Sequence, residues 1–516
     1  MTQLWRAVFV LLIVTALLVS FACDDDDDDD DSPATDDDDD TSPGGDDDAS
    51  AGCTDRQVVE VDRDESVTVA WDDGTSVELS VLEIETEFDA VRGAVRAARA
   101  HVEIDGETAW VDVGNYHLPV TVGAVQIDCP VVEDYYVNSD EDRWGLRAAA
   151  RFRLWQAGCP WLPGESMLYP VAGQRWLPNR SQAGNEPTDD YLPFLTSIYY
   201  HSGIDFGGTD HVDRVVAAAP GTVVLAGGEV LPGYEETPAR LQGPRRDVVF
   251  VLDERGWYYR YSHLDSIAPN VFLGQQLRAG EPIGVLGKRG TSGGWSHLHF
   301  EIICRQPSGE WGTESAYPYV WQGYVEREKP PLLAHARPHR IARAGDTVTL
   351  DGGGSISLAS EIVDYTWLFT DGETASGERV ERTYDQAGFF TEVLQVTDAA
   401  GHVAYDFAVV QIVENSPRPF YTYIHAAHSP SRPVGVGEDV LFKARLFGVT
   451  GGVEQWDFGD GSPLEFTQSV PFPNPLGDYA SLRHAYDAPG DYLVRVERSN
   501  VHGEPAIARL WVRVEP

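Results

Sequence analysis

Short runs of alternating apolar and polar residues make up most of the chain after residue 53. Two of them, Val67–Trp71 and Ser76–Val81, flank the turn-forming residues Asp72–Thr75. Alternation with a period of two places apolar side chains on one face of a strand, and an Asp-Gly turn between two such runs predicts a β-hairpin. The stretch Phe88–Val102 fits either a helix or a strand, and its pattern leaves both open.

A chain of 516 residues is too long for a single core, and changes in composition divide it into parts. The predicted segments are 1–23, a signal peptide; 24–52, an Asp-rich linker; 53–165, a β-rich N-terminal domain; 166–330, a central domain; and 331–415 and 416–516, two C-terminal domains. The predicted fold class is mainly β, because strand and turn patterns prevail in every folded segment.

The first 23 residues have the character of an export signal. Ala7–Val19 is apolar but short for a membrane span, and Arg6 is the single charge before it ends. The residues leading to Cys23 resemble a bacterial lipobox, which implies that Cys23 is acylated and anchors an exported protein to a membrane of the cell envelope. Ser20-x-Ala22 also fits ordinary signal-peptidase cleavage, which would leave the protein secreted without an anchor.

The net charge of −45 is concentrated in the linker, where three aspartate runs occupy 24–31, 36–40 and 46–48. The linker has almost no apolar side chains to bury, so it is predicted to be an extended, solvated spacer. The remainder of the chain is also acidic. Such a chain has no electrostatic attraction for nucleic acid, which we exclude as a partner.

Five cysteines are present, and lipidation of Cys23 would leave Cys53, Cys129, Cys159 and Cys304. An even number in an exported protein predicts disulfides formed in an oxidising compartment. Three pairings of these four residues are open.

Three short motifs in the central domain carry candidate chemistry. His297 and His299 lie two apart in an apolar strand pattern, so their side chains share one face. Two adjacent histidines alone are more often structural than catalytic. Upstream, however, His201 and Asp205 lie four apart around a Ser-Gly turn, and His263 ends an alternating strand. Together these residue types can hold a metal ion and transfer protons.

In this order the motifs resemble those of the M23 metallopeptidases, the lysostaphin and LytM-like endopeptidases of peptidoglycan. The family pattern is HxxxD, then Tyr-x-His-Leu, then HLHFE, and the chain has Tyr261-Ser262-His263-Leu264 and His297–Glu301 at the second and third places. The resemblance covers about residues 166–306. It implies an antiparallel β-sheet domain of LytM type that hydrolyses peptide bonds in peptidoglycan stems or cross-links.

The resemblance also implies a role for each histidine. His201, Asp205 and His299 would bind one Zn²⁺ per chain and leave a fourth position for water, whose pKa the ion lowers. His263 and His297 would be the catalytic residues that take the proton of the water, stabilise the oxyanion and protonate the leaving amine.

Two departures from the family pattern bear on substrate preference. Glu229–Arg246 is an insert where the family usually has a short glycine turn, and Gly293–Ser296 replaces a shorter turn before the HLH motif. Within that second turn, Trp295 could line the substrate groove or could pack the loop. We predict Trp295 as a candidate substrate-binding residue.

The two C-terminal domains are copies of one another. Trp456-Asp457-Phe458-Gly459-Asp460-Gly461 in the second corresponds to Trp367–Gly372 in the first, and each copy has the length of a β-sandwich. Both resemble PKD domains, which implies two Ig-like β-sandwiches. Their role would be that of spacers, or of modules that contact glycans or proteins.

The leading hypothesis is therefore an exported, lipid-anchored zinc metalloendopeptidase whose substrates are the peptides of peptidoglycan. The alternative is a non-catalytic cell-envelope scaffold or hydrolase activator that uses the same fold for binding. A third hypothesis is an endopeptidase aimed at foreign proteins or rival cell walls, with the PKD domains as targeting arms.

Overall fold

The computed structural model describes residues 53–516 apart from 54, 137–138, 140–141, 163–166, 177–181, 184–197, 199, 236–237, 239–244, 415–420, 449–451 and 471–476. The predicted signal peptide, Cys23 and the Asp-rich linker lie outside the described residues. The described part is mainly β, as predicted, with one α-helix, and none of its helices has the length and apolar character to span a bilayer.

The N-terminal domain consists of two four-stranded sheets, β1-β8-β7-β6 and β2-β3-β4-β5. Its elements are β1 Gln57–Val61, β2 Ser66–Ala70, β3 Ser76–Phe88, β4 Val95–Ile104, β5 Glu107–Asp112, β6 Val120–Val122, β7 Val125–Val132, a 3₁₀ turn Glu133–Tyr136 and β8 Ala150–Gln156. The predicted hairpin is β2–β3. The stretch Phe88–Val102 is not a helix: Phe88 ends β3, residues 89–94 form the turn to β4, and Ala98, Ala100 and Val102 of β4 alternate into the core of this domain.

One disulfide forms among the four cysteines. Cys53 is bonded to Cys159, which lies just beyond β8, so the bond closes the N-terminal domain. Cys129 and Cys304 are buried thiols. The expectation of disulfides thus holds for one pair and is wrong for the other, because Cys129 and Cys304 lie in two different hydrophobic cores.

The central domain is built on a nine-stranded antiparallel sheet, ordered β13-β12-β14-β15-β19-β10-β9, with β17 beside β12 and β20 beside β19. A three-stranded sheet, β11-β18-β16, and one helix complete it. The elements are β9 Gln182–Ala183, β10 Ile204–Gly207, β11 Arg214–Val216, β12 Gly221–Ala226, β13 Glu229–Val230, β14 Val249–Leu252, β15 Tyr258–Ser262, β16 Ser266–Ile267, β17 Gln276–Leu277, β18 Pro282–Val285, β19 His297–Arg305, β20 Trp311–Glu314 and α1 Tyr317–Glu328.

A buried ion-pair cluster joins the N-terminal and central domains. Arg153 on β8 is fully buried and donates to Asp128, at 2.9 Å, and to Glu314 on β20, at 2.7 Å. Arg56 reaches the same Glu314 oxygen at 2.9 Å. Because buried charges are retained only where they are paired, this cluster fixes β20 against the N-terminal domain.

The C-terminal domains share a ten-stranded sheet, ordered β22-β29-β28-β37-β36-β33-β34, with β25, β26 and β31 off this path. The first contributes β21 Leu332–Leu333, β22 Arg340–Arg343, β23 Thr347–Asp351, β24 Ile356–Ser357, β25 Ile362–Leu368, β26 Thr374–Ser376, β27 Arg379–Thr383, β28 Gly388–Asp398 and β29 Val403–Val413. The second contributes β30 Tyr423–Ser429, β31 Val434–Gly435, β32 Val440–Phe447, β33 Glu454–Asp457, β34 Glu465–Thr467, β35 Ala480–His484, β36 Gly490–Ser499 and β37 Pro505–Glu515.

Each C-terminal domain also has a smaller opposing sheet, β23-β27 in the first and β30-β32-β35 in the second. Trp367 and Trp456, the tryptophans of the repeated motif, are both fully buried in these sandwiches. The sequence repeat is therefore a repeat of core positions. Sequence does not reveal the parallel pairing of Phe389 on β28 with Ala506 on β37, which joins the two large sheets.

Candidate metal centre

Strand β19 carries the site at the centre of the large sheet. Leu298, Phe300 and Ile302 alternate into the core, so the residues between them lie on the opposite face. β10 flanks β19 on one side and pairs Asp205 with His299. β15 flanks it on the other side and ends directly before His263.

Three side chains converge on one point. His201 Nε2 lies 2.9 Å from His299 Nδ1, and Asp205 Oδ1 lies 3.0 Å from each of these two nitrogens. Gly203 makes this approach feasible: its φ is +80°, and a Cβ atom there would overlap the carbonyl oxygen of Phe300. The turn between His201 and Asp205 therefore lies directly against β19.

The donor set fits a divalent cation. Within the described ranges, His201, Asp205 and His299 are the one group of three or more His, Cys, Asp or Glu residues whose ligand atoms lie close enough to share an ion. Two imidazoles and one carboxylate match the three protein ligands of a catalytic zinc site. Burial alone would raise the pKa of Asp205, but electrostatic attraction to the neighbouring histidines, His201 above all, and the hydrogen bonds with His201 and His299 hold it well below its usual value.

His263 and His297 lie beside this cluster with their rings 4.6 Å apart between centroids. His263 Nδ1 is 2.8 Å from the carbonyl oxygen of Arg289, and His297 Nδ1 is 3.1 Å from that of Trp295. A carbonyl oxygen only accepts, so we assign the proton of each ring to Nδ1. Each ring then keeps its lone pair at Nε2. The Nε2 atom of His297 lies 3.4 Å from Asp205 Oδ2.

Both rings are neutral at neutral pH. Burial is the main cause that lowers the pKa of His297 to about 4, with the charge of His299 adding to it. Burial and the neighbouring His297 lower the pKa of His263 well below its usual value. Two neutral imidazoles next to a group of metal-ligating atoms can accept protons at Nε2.

Part of the chain matches a known peptidase family. The sequence model of peptidase family M23 matches residues 199–309. Residues 199–309 are an M23 peptidase domain. Models of PKD domains match residues 328–412 and 424–506, so two PKD domains follow it.

Solved structures similar to parts of the chain include the catalytic domain of the antimicrobial peptidase lysostaphin from Staphylococcus simulans. It is 25% identical, with 24% of this chain and 80% of that chain covered and a TM-score of 0.18. Lysostaphin itself is 19% identical over 45% of this chain and 89% of that chain, with a TM-score of 0.20. The PKD1 domain of Vibrio anguillarum Epp is 25% identical over 16% of this chain and 89% of that chain, with a TM-score of 0.13.

The M23 domain brings all five predicted histidine and aspartate residues together. Trp295, the sixth candidate, lies next to them: its indole stacks on the ring of His297, with centroids 3.6 Å and planes 18° apart. It also packs, partly buried, against the core of the second PKD domain. The structure thus places Trp295 in packing contacts on both sides of the loop.

Sequence reasoning missed two residues that support the M23 site. Glu301 Oε2 lies 3.4 Å from His299 Nε2, and its position two residues after His299 on one strand is a signal that was available. Asp247 accepts the backbone N–H of His263 at 3.3 Å, where φ of His263 is +68°, an uncommon value for a residue with a side chain. No local motif connects Asp247 to His263.

Proposed function

We propose that this protein is a zinc-dependent endopeptidase that hydrolyses peptide bonds in the stems or cross-links of peptidoglycan. The observation that carries the proposal is the convergence of His201 Nε2, Asp205 Oδ1 and His299 Nδ1 next to two further histidines that do not belong to the group. A scaffold that only binds would need neither the donor set nor the paired imidazoles.

Zn²⁺ held by His201, Asp205 and His299 would supply Lewis acidity, which lowers the pKa of a water molecule and polarises the scissile carbonyl. The chain's own contribution is proton transfer. As the new C–O bond forms, Nε2 of His263 or His297 takes a proton from the attacking water. As the C–N bond breaks, the imidazolium returns that proton to the amide nitrogen, which leaves as an amine.

The low pKa of each ring suits the second proton transfer, in which the imidazolium protonates the leaving amine. A buried imidazole with a depressed pKa gives up its proton readily once it has accepted one. Its charged form is also adjacent to any oxyanion that develops on the scissile carbonyl, which favours stabilisation of that charge. His263 and His297 are thus proposed as the catalytic residues.

The substrate class and the location of the protein belong to the same proposal. The motifs resemble those of lysostaphin and LytM-like endopeptidases, and this supports peptidoglycan peptides as the substrate. The Cys53–Cys159 bond supports an oxidising compartment outside the cytoplasm. We propose export, acylation at Cys23 and anchoring to a membrane of the cell envelope, with glycan or protein contacts through the PKD domains.

Digestion of purified sacculi tests the function. We expect wild-type protein with one equivalent of zinc to release muropeptides with new termini that mass spectrometry identifies. A chelator should abolish the release, and added zinc should restore it. The matched variant is His299→Ala, which should remain folded and release nothing. Protein that binds zinc but leaves sacculi unchanged over a range of pH and salt would favour the non-catalytic alternative.

Fractionation tests the anchor independently. We expect the wild-type protein in the membrane fraction and Cys23→Ser in the soluble or culture fraction. Wild-type protein found in the culture supernatant would instead favour the hypothesis of an enzyme directed at foreign targets.

A further inference from the structure

The second PKD domain holds the loop that precedes the HLH motif. Arg445, which is fully buried, donates from Nη1 to the carbonyl oxygen of Gly294 at 2.6 Å. The backbone N–H of Ser296 donates to the hydroxyl of Tyr479 at 2.9 Å. Between these two bonds, the indole of Trp295 packs against the core of the same PKD domain. Each consecutive residue of the loop from 294 to 296 therefore has a contact across the domain boundary.

A buried histidine completes the contact on the PKD side. The ring of His425 lies 5.2 Å from that of Trp295 between centroids. Its Nδ1 is 2.9 Å from the Tyr479 hydroxyl, which can donate to it while accepting from Ser296. Burial raises the pKa of Tyr479 well above its ordinary value, so the hydroxyl keeps its proton. Tyr479 and His425 thus form one hydrogen-bonded pair behind Trp295.

Trp295 also contacts His297, where it restricts the rotation of the imidazole and selects its tautomer. Its indole covers one face of the imidazole with centroids 3.6 Å apart, which blocks rotation of the ring in that direction. Its carbonyl oxygen accepts the bond from His297 Nδ1 at 3.1 Å, which selects the tautomer with a free lone pair at Nε2. The ring of His263 lies 4.6 Å from His297.

The loop itself offers little rigidity. Gly293 and Gly294 are adjacent and both have positive φ, +65° and +83°. A chain segment with two glycines loses more conformational freedom on ordering than other sequences, so hydrogen bonds to its residues matter for where it lies. Within the peptidase domain, the Gly294 N–H donates to Ser292 Oγ at 3.1 Å and Ser296 Oγ donates to the carbonyl oxygen of Gly208 at 2.8 Å. Among the residues that the structure describes, the contacts of residues 294–296 with another domain are made by the second PKD domain.

We propose that the second PKD domain is a positioning element of the peptidase site, in which Tyr479 and His425 hold Trp295 and Trp295 orients His297. The proposal rests on the proposed function, because His297 needs a defined orientation only if it transfers protons. It replaces the expectation that this PKD domain is a spacer. Trp295, Tyr479 and His425 are positioning residues, and His297 remains the group that meets the substrate.

Steady-state kinetics of the full-length protein test the proposal. Trp295→Ala should lower kcat about tenfold to a hundredfold, which is the usual effect of removing a residue that orients a group of a metal site. KM should change less than about twofold. Trp295→Phe keeps a ring to stack on His297 and should recover most of kcat. Tyr479→Phe removes one hydroxyl and should lower kcat by about tenfold with full zinc content.

Ser429→Ala is the matched control. Ser429 donates to Asp213 at 2.7 Å across the same pair of domains without contacting Trp295, Tyr479 or His425. Its kcat should equal that of the wild type. An equal fall of kcat in Ser429→Ala and Tyr479→Phe would overturn the proposal in favour of general domain docking. A rise of KM alone in Trp295→Ala would overturn it in favour of direct substrate binding.

Nitrogen-15 NMR of histidine-labelled protein measures how fast the His297 Nδ1 proton exchanges with solvent, and this measurement does not depend on cleavage. The chain has 14 histidines, and the Nδ1–H signal of His297 is assigned by its loss in His297→Gln. We expect this proton to exchange slowly with solvent in the wild type and Ser429→Ala, and to exchange fast in Trp295→Ala. Slow exchange in Trp295→Ala would overturn the proposal. Absence of cleavage by the wild type would overturn the proposed function, whereas the exchange rates would still show whether Trp295 orients His297.

Discussion

Glu301 Oε2 lies 3.4 Å from His299 Nε2, on the side of the imidazole opposite to Nδ1 and Asp205. Glu301 is almost completely buried, and Arg260 and Thr313 donate to its two oxygens at 3.0 and 2.7 Å. Burial alone would raise the pKa of Glu301, but the bond with His299 and the charge of Arg260 hold it well below its usual value. An ionised carboxylate in this place orients the ring and makes Nδ1 a better ligand.

Glu301→Gln should therefore weaken zinc binding. Loss of the negative charge makes the His299 ring less basic and less firmly oriented, and such changes cost about tenfold to a hundredfold in metal affinity. Competition with a chromophoric chelator measures the zinc affinity. Glu310→Gln, at an exposed carboxylate in the turn before β20, is the control and should match the wild type. Equal zinc affinity in both variants would contradict a role of Glu301 in metal binding.

Substitutions of the histidines should separate zinc binding from proton transfer. His299→Ala removes a ligand atom, so we expect loss of zinc together with activity. His297→Ala and His263→Ala keep the three ligands, so zinc should stay near one equivalent while kcat falls about 10²- to 10⁴-fold. Elemental analysis and turnover on the same preparations give both values. Loss of zinc from His263→Ala would show that the division into ligands and catalytic residues is wrong.

Acid should weaken the junction between the N-terminal and peptidase domains. Burial alone would raise the pKa of Glu314, but the charges of Arg56 and Arg153 lower it to about 2 from 4.5. A carboxyl group whose pKa is depressed by folding stabilises the folded state above pH 4.5, and this contribution is lost as the pH falls towards 2. It amounts to about 3 kcal/mol at most, at 1.36 kcal/mol per pKa unit.

Urea unfolding at pH 5 and at pH 3 measures this effect. The midpoint of the wild type should fall between the two values, and Glu314→Gln, which has no charge to lose, should show a smaller fall. Glu310→Gln keeps the buried cluster and should behave as the wild type does. If Glu314→Gln loses as much stability as the wild type over this interval, the acid sensitivity arises elsewhere.

Reduction should destabilise the N-terminal domain. The Cys53–Cys159 bond joins residues 106 apart in sequence, and loss of a crosslink over a loop of this size costs about 2–5 kcal/mol of unfolding free energy. Thermal unfolding with and without a reductant measures it. The double variant Cys53→Ser/Cys159→Ser should resemble the reduced wild type and should not respond to the reductant. A response of the double variant would contradict the assignment of this bond.

Local patterns predicted the fold class and several of the strands, and the resemblance to the M23 family predicted the site residues. The β2–β3 hairpin follows from alternation around an Asp-Gly turn, and hydrogen bonds between neighbouring strands need no distant information. His201 and Asp205 are brought together by one short turn, and His297 and His299 by one strand. For these pairs the sequence spacing already sets the spatial proximity, and the resemblance of the motifs to the M23 family is what predicted a zinc site.

The cysteine pairing and the surroundings of Trp295 depend on contacts between residues far apart in the sequence, so only the tertiary structure shows them. Which cysteines pair depended on which core encloses each of them, and Cys129 and Cys304 lie in different ones. The environment of Trp295 depended on His425 and Tyr479, more than 100 residues further along the chain.

The sequence therefore predicted the fold class, and through the resemblance of its motifs to the M23 family it predicted the five histidine and aspartate residues of the site. It did not determine which domain holds Trp295 against His297. That contact arises where two different sheets pack against each other, and no periodicity within either segment encodes which surface of one meets which loop of the other.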